Sequence, residues 1–72
     1  MTRGDHMRKA RMDAGLTLRQ LDALSGITYS MISRYERDVY PARISLANVE
    51  ILADTLGLTI DEYIGHERVE KR

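Results

Sequence analysis

A chain of 72 residues without cysteine has room for one small core, and neither a disulfide nor a zinc-thiolate site can staple it. Its 43% apolar and 31% charged residues describe a globular chain, with apolar runs far too short to span a membrane. Eleven basic and eleven acidic residues cancel, which excludes a protein that holds polyanions by bulk charge alone, but residues 1–43 carry eight basic against five acidic residues and the remainder three against six. The N-terminal part, at +3 against −3, is the expected face for an anion.

Capping and periodicity predict five helices punctuated by single glycines and one proline. The first covers about residues 5–13, where Met7, Ala10, Arg11 and Ala14 share a face and Gly15 supplies the stop. Arg11 is thus a charge on an apolar stripe. Thr17 is a candidate N-cap for the second helix, which places Leu18, Leu21 and Leu24 at three-residue steps before Gly26. Thr28 caps a third helix to about Arg37, with Ile32 and Tyr35 facing in and Tyr29, Ser30, Ser33 and Arg34 facing out. Residues 38–44, with Pro41, read as a loop.

Ser45 then caps a fourth helix carrying Leu46, Val49, Leu52, Ala53 and Leu56 up to Gly57. A short fifth follows Thr59, with Asp61 and Glu62 suited to its first turn and Tyr63 and Ile64 as its apolar side. Residues 66–72 form a tail, frayed or used in assembly. The nearest thing to a strand, Leu58-Thr59-Ile60, lies between helices, so the fold class is all-α.

Two short helices joined at Gly26, the second with small polar residues outside, have the pattern of a helix-turn-helix. Turning the chain through roughly 90 to 120° in three or four residues favours a positive φ, which glycine adopts without a Cβ clash. Leu21, Ile27 and Ile32 are expected to fill the angle. An ordinary helix C-cap is the competing account of Gly26.

The blocks Gly15-Leu16-Thr17-Leu18-Arg19-Gln20-Leu21, Ser25-Gly26-Ile27-Thr28, Met31-Ile32-Ser33-Arg34-Tyr35-Glu36-Arg37 and Leu52-Ala53-Asp54-Thr55-Leu56-Gly57-Leu58-Thr59-Ile60-Asp61-Glu62 occur in register. With them the chain resembles the lambda repressor and Cro-like (XRE-type) helix-turn-helix family over about residues 3–65. The resemblance implies a compact five-helix bundle, a single domain, whose third helix enters the DNA major groove. Three positions depart from the family pattern. Asp22 stands where alanine is usual, and we expect its carboxylate to accept hydrogen bonds from the free N–H groups opening helix three, against a solvated, outward alternative. Leu18 replaces a glutamine that often anchors a phosphate. Asp38 replaces a glycine after the recognition helix, and the loop that follows is about three residues longer than usual.

Expected base readers are Tyr29, Ser30, Ser33 and Arg34, with the Arg34 guanidinium suited to guanine O6 and N7 and the Tyr29 ring to a thymine methyl. The competing roles are a solvated charge or phosphate contact for Arg34 and packing on the turn for Tyr29. Phosphate contacts are expected from Thr28, Arg37, Tyr40 and Arg43, and less firmly from Arg19 and Lys9. The family pairs the positions of Arg11 and Glu36 in a salt bridge, and a charge on each inward stripe explains the other.

One helix-turn-helix covers half a site, so a homodimer on a two-fold symmetric operator in double-stranded DNA is expected, with Ile60, Tyr63 and Ile64 either at the dimer contact or in the core. The expected function is a small dimeric repressor of phage-like, restriction-modification controller or antitoxin type. The alternative is a protein-interaction module that keeps the scaffold and binds another regulator. His6 and His66 sit at opposite ends without clustered carboxylates, so no metal, cofactor or enzyme activity is expected. The opening Met-Thr-Arg-Gly-Asp-His lacks the apolar stretch of a secretion signal, which with the absence of cysteine makes the cytoplasm the expected location.

Overall fold

Local capping chemistry sets the helix boundaries. In the computed structural model, which describes residues 2–37 and 45–65, five α-helices follow one another: α1 Arg3–Asp13, α2 Leu18–Ser25, α3 Tyr29–Arg37, α4 Leu46–Thr55 and α5 Ile60–Ile64. There is no strand among the described residues, so the chain is all-α. Three of the helices open on a reciprocal capping box. The hydroxyls of Thr2, Thr17 and Thr59 accept from the backbone N–H three residues on, and the side chains of Asp5, Gln20 and Glu62 accept from the threonine N–H. Ser45 caps α4 from one side only, accepting from Asn48 N at 3.4 Å.

The first box accounts for a difference from expectation. Helix α1 begins at Arg3, two residues earlier than the apolar periodicity indicates, because Asp5 is the third residue of the helix and reaches back to Thr2 N at 3.0 Å. That bond, donated by the Thr2 amide, holds the Asp5 carboxyl below its ordinary range. At its other end α1 closes on Gly15, whose φ of +75° lets Leu16 N reach Arg11 O at 3.2 Å and Gly15 N reach Met12 O at 2.9 Å. The same paired bonds end α4.

Helix α1 packs on α3 and α5, α2 on α3 and α4, and α4 on α5. The common core is Met7, Leu21, Ile32, Tyr35, Val49, Leu52, Ala53 and Tyr63, with Ala10, Leu16, Leu18, Ile27, Met31, Leu56, Leu58, Ile60 and Ile64 packed around it. Each large apolar side chain so buried contributes roughly 1.5–3 kcal/mol. Tyr35 also satisfies its hydroxyl, accepting from Asn48 Nδ2 of α4 at 3.0 Å. His6 is half-buried, and its ring lies against Gly65 in the space a Cβ there would fill.

Three residues assigned to apolar stripes face solvent instead. Ala14 caps the end of α1 and is exposed, Leu24 is 63% exposed and Leu46 is 69% exposed. Steps of three residues drift about 60° per step around a helix, so Leu24 has rotated off the face centred on Leu21. Ala14 and Leu46 do lie on the correct stripes, at helix ends where they stay exposed among the described residues. The loop expected around Pro41, the phosphate contacts expected of Tyr40 and Arg43, and the tail 66–72 lie outside the described residues.

Candidate nucleic-acid interface

The turn between α2 and α3 is held by three short polar contacts over an apolar wedge. Gly26, at φ +81°, donates its N–H to Asp22 O at 2.8 Å. Ser25 Oγ accepts from Ile27 N at 3.1 Å, and Asp22 Oδ2 accepts from Tyr29 N, the first amide of α3, at 2.9 Å. Asp22 therefore ties both sides of the turn, with its carbonyl on α2 and its carboxylate on the positive end of α3. Beneath them Leu21 and Ile32 are fully buried and Ile27 partly so. The carboxylate expected at the recognition-helix N-terminus is found there.

Helix α3 is consequently presented in a defined direction. Tyr29 (42% exposed), Ser30 and Arg34 stand on its outer side, and Ser33 is half-buried beside them. Spacings of one, four and five residues put these four on one face. The Arg34 side chain makes no hydrogen bond or ion pair with a described residue, so its guanidinium is available to a partner. Arg37, at the end of α3, is likewise exposed. Thr28 Oγ1 accepts from Met31 N at a long 3.4 Å and keeps its own hydroxyl proton to donate. Leu18 is half-buried against the core, in keeping with its inability to act as a polar anchor.

Arg19 and Lys9, the less firmly expected phosphate contacts, are already engaged. The Arg19 guanidinium carbon lies 4.5 Å from the centroid of the Tyr29 ring, and its Nη2 is 3.5 Å from the Tyr29 hydroxyl. Lys9 pairs with Asp13 at 2.8 Å and shares a shallow groove with Leu56, Leu58 and Glu62, on the side of α1 turned toward the α4–α5 corner. The structure therefore does not bring Lys9 together with the α3 face.

Behind that face sits the Arg11 and Glu36 pair. Arg11 Nε donates to Glu36 Oε2 at 2.8 Å and Nη2 to Oε1 at 3.0 Å, while Nη1 donates to Leu16 O at 2.8 Å. Both side chains are nearly covered, with 11% and 4% of their surface exposed. One guanidinium thus joins α1, the α1–α2 turn and the recognition helix, and its fork geometry fixes their mutual orientation.

The residues assigned to dimer contact divide. Ile60 and Ile64 are half-buried at the edge of the core, but Tyr63 is fully buried within its own chain, so it takes the core role and offers no surface to a partner. Its hydroxyl has no hydrogen-bond partner among the described residues. Burial, with the Glu36 carboxylate nearby, raises the pKa of this phenol far above its ordinary value.

The contacts that go beyond the expectations from the chain include the Gln20 capping box, the Asn48 bond to Tyr35, and the Arg19 contact with the Tyr29 ring. Thr-x-x-Gln ahead of an apolar run is a readable sign of the first. The other two join different helices and have no local signature. Among the described residues there is no metal-binding cluster of histidine and carboxylates, and no helix long and apolar enough to cross a membrane.

Comparison with known proteins gives one finding. A helix-turn-helix family model matches residues 7–63, from the core methionine of α1 to the core tyrosine of α5. No curated protein and no solved structure matched. The matched span contains the capped turn, the polar outer face of α3 and the Arg11–Glu36 brace, and it covers well over half of the sequence. The chain belongs to the lambda repressor and Cro-like (XRE-type) helix-turn-helix family, a family of DNA-binding transcription regulators.

Proposed function

We propose that this protein is a sequence-specific transcriptional repressor that binds, as a homodimer, a two-fold symmetric operator in double-stranded DNA. The observation that carries the reading is the face of α3. Tyr29, Ser30, Ser33 and Arg34 stand together on its outer side, and the arginine among them is unengaged within the described chain. The DNA major groove, about 12 Å wide, admits such a helix. Arg34 then donates two parallel hydrogen bonds to guanine O6 and N7, while the Tyr29 ring lies on a thymine methyl. Thr28 and Arg37, at the two ends of α3, take phosphate oxygens and set the register.

A homodimer follows from the half-site that one recognition helix covers, with the two copies about one helical turn apart. Ile60 and Ile64, at the edge of the core, are the contact residues we propose. The cytoplasm is the compartment in which such a regulator meets its operator.

Selection from a random duplex library at moderate salt tests this. A two-fold symmetric motif is expected, and Arg34→Ala should lose discrimination at one base pair per half-site by about 5- to 150-fold, as expected for a bidentate contact worth about 1–3 kcal/mol. Weak binding to all sequences with no motif would instead support a protein-interaction module built on the same scaffold.

A further inference from the structure

Arg19 lies on α2, yet its guanidinium is spent on the first residue of α3. The side chain covers one face of the Tyr29 ring at 4.5 Å from its centroid, with Nη2 3.5 Å from the hydroxyl. One turn further along α2, Asp22 holds the same residue's backbone amide at 2.9 Å. Tyr29 is therefore restrained at ring, hydroxyl and amide by two residues three apart on a single helix face.

The need for such restraint is physical. A side chain at the first position of a helix has no preceding turn to limit its rotamers, and Tyr29 remains 42% exposed. An unrestrained ring would lose that freedom on each binding event and would meet a base edge in several orientations. A guanidinium over the ring limits both, through cation–π attraction at the face and a simultaneous approach of Nη2 to the hydroxyl, a two-point reach that a compact ammonium does not reproduce.

We propose that Arg19 is a positioning residue for base reading, holding the Tyr29 ring in the orientation it presents to DNA, and that it acts on sequence preference through Tyr29 and not through a phosphate. The inference rests on the DNA-reading function proposed above. It also explains why an exposed arginine beside the expected interface is turned onto a neighbouring ring.

The test compares base preference and salt dependence for the wild type, Arg19→Ala, Arg19→Lys, Tyr29→Ala, Tyr29→Phe and the Arg19→Ala/Tyr29→Ala double variant. A thermal melt confirms that each is folded, which exposure of both residues leads us to expect. Arg19→Ala and Arg19→Lys should each lower preference, about two- to fivefold, at the base pair where Tyr29→Ala also acts. Adding Arg19→Ala to Tyr29→Ala should change preference no further, because the ring through which Arg19 works is gone. Tyr29→Phe keeps the stacking face and should retain most of the preference. In the free protein, the Tyr29 ring proton resonances should shift in both Arg19 variants.

A different pattern would overturn the proposal. If Arg19→Lys keeps the wild-type preference while Arg19→Ala weakens all sequences alike and reduces the salt slope by about one, Arg19 is a phosphate contact. Failure of the wild type itself to select a motif would remove the DNA-reading function and this inference with it, and that outcome is seen before any variant is made.

Discussion

The two ends of the molecule are held by different kinds of force. Around the helix-turn-helix, directional polar contacts converge. Arg11 grips Glu36 and Leu16 O, Asp22 grips the α3 N-terminus, and Arg19 covers Tyr29. Across α4 and α5 most of the work is done by buried Val49, Leu52, Ala53 and Tyr63 together with local caps, and Asn48 adds one bond to the Tyr35 hydroxyl of α3. Apolar burial is non-directional and stabilises a compact state, whereas a forked ion pair or a carboxylate cap stabilises one orientation. The polar contacts gather where an error of orientation would matter most, at the helix proposed to enter a groove.

The sharpest way to break this contrast is at the brace. Removing one partner, by Arg11→Met or Glu36→Leu, should lower stability by about 3–5 kcal/mol in urea unfolding, because it strands a buried charge. The double variant Arg11→Met/Glu36→Leu should recover most of that loss while weakening motif selection. Full recovery of DNA selection as well would mean that the pair carries no orienting role. Next in size is the core. Leu52→Ala should cost about 2–5 kcal/mol and leave the base preferences of any residual folded protein unaltered.

Smaller effects separate the caps. Asp22→Ala should cost about 1 kcal/mol and also disturb selection at the base nearest Tyr29, whereas Thr59→Ala should cost a similar amount with no change in preference. Tyr63→Phe removes a hydroxyl with no partner among the described residues, so its melting temperature should match or slightly exceed that of the wild type. A clear loss of stability there would show that the hydroxyl is satisfied in solution.

The smallest effect is a pH dependence. The Asp5 carboxyl is held below its ordinary value of 3.8 in the folded chain, so its contribution to the α1 cap is present above that value and fades as pH falls through the lowered folded value. Asp5→Asn should flatten the acid limb of α1 helicity without touching the α2–α3 turn.

Much of this architecture is legible along the chain because its determinants are local. Thr17, Thr28, Ser45 and Thr59 each mark a helix start through the backbone amide three residues on, and Gly15, Gly26 and Gly57 supply the positive φ at three ends. The fold class, the order of the helices and the outer face of α3 follow from such short-range rules and from helical periodicity. The Arg11–Glu36 pair was legible too, since a lone charge on each of two apolar stripes calls for the other.

What the chain leaves open is whatever depends on how far a neighbouring helix extends. Ala14 and Leu46 satisfy an apolar repeat and still face solvent, while Tyr63, equally suited to a dimer surface, is sealed inside its own core. Arg19 has the same difficulty, since nothing in its neighbourhood along α2 tells a free arginine from one laid across a ring ten residues away. Local sequence determines where helices begin, turn and end, because those energies are settled within one turn of backbone. Only the tertiary structure decides which of the resulting faces meet, because burial and stacking depend on residues distant along the chain.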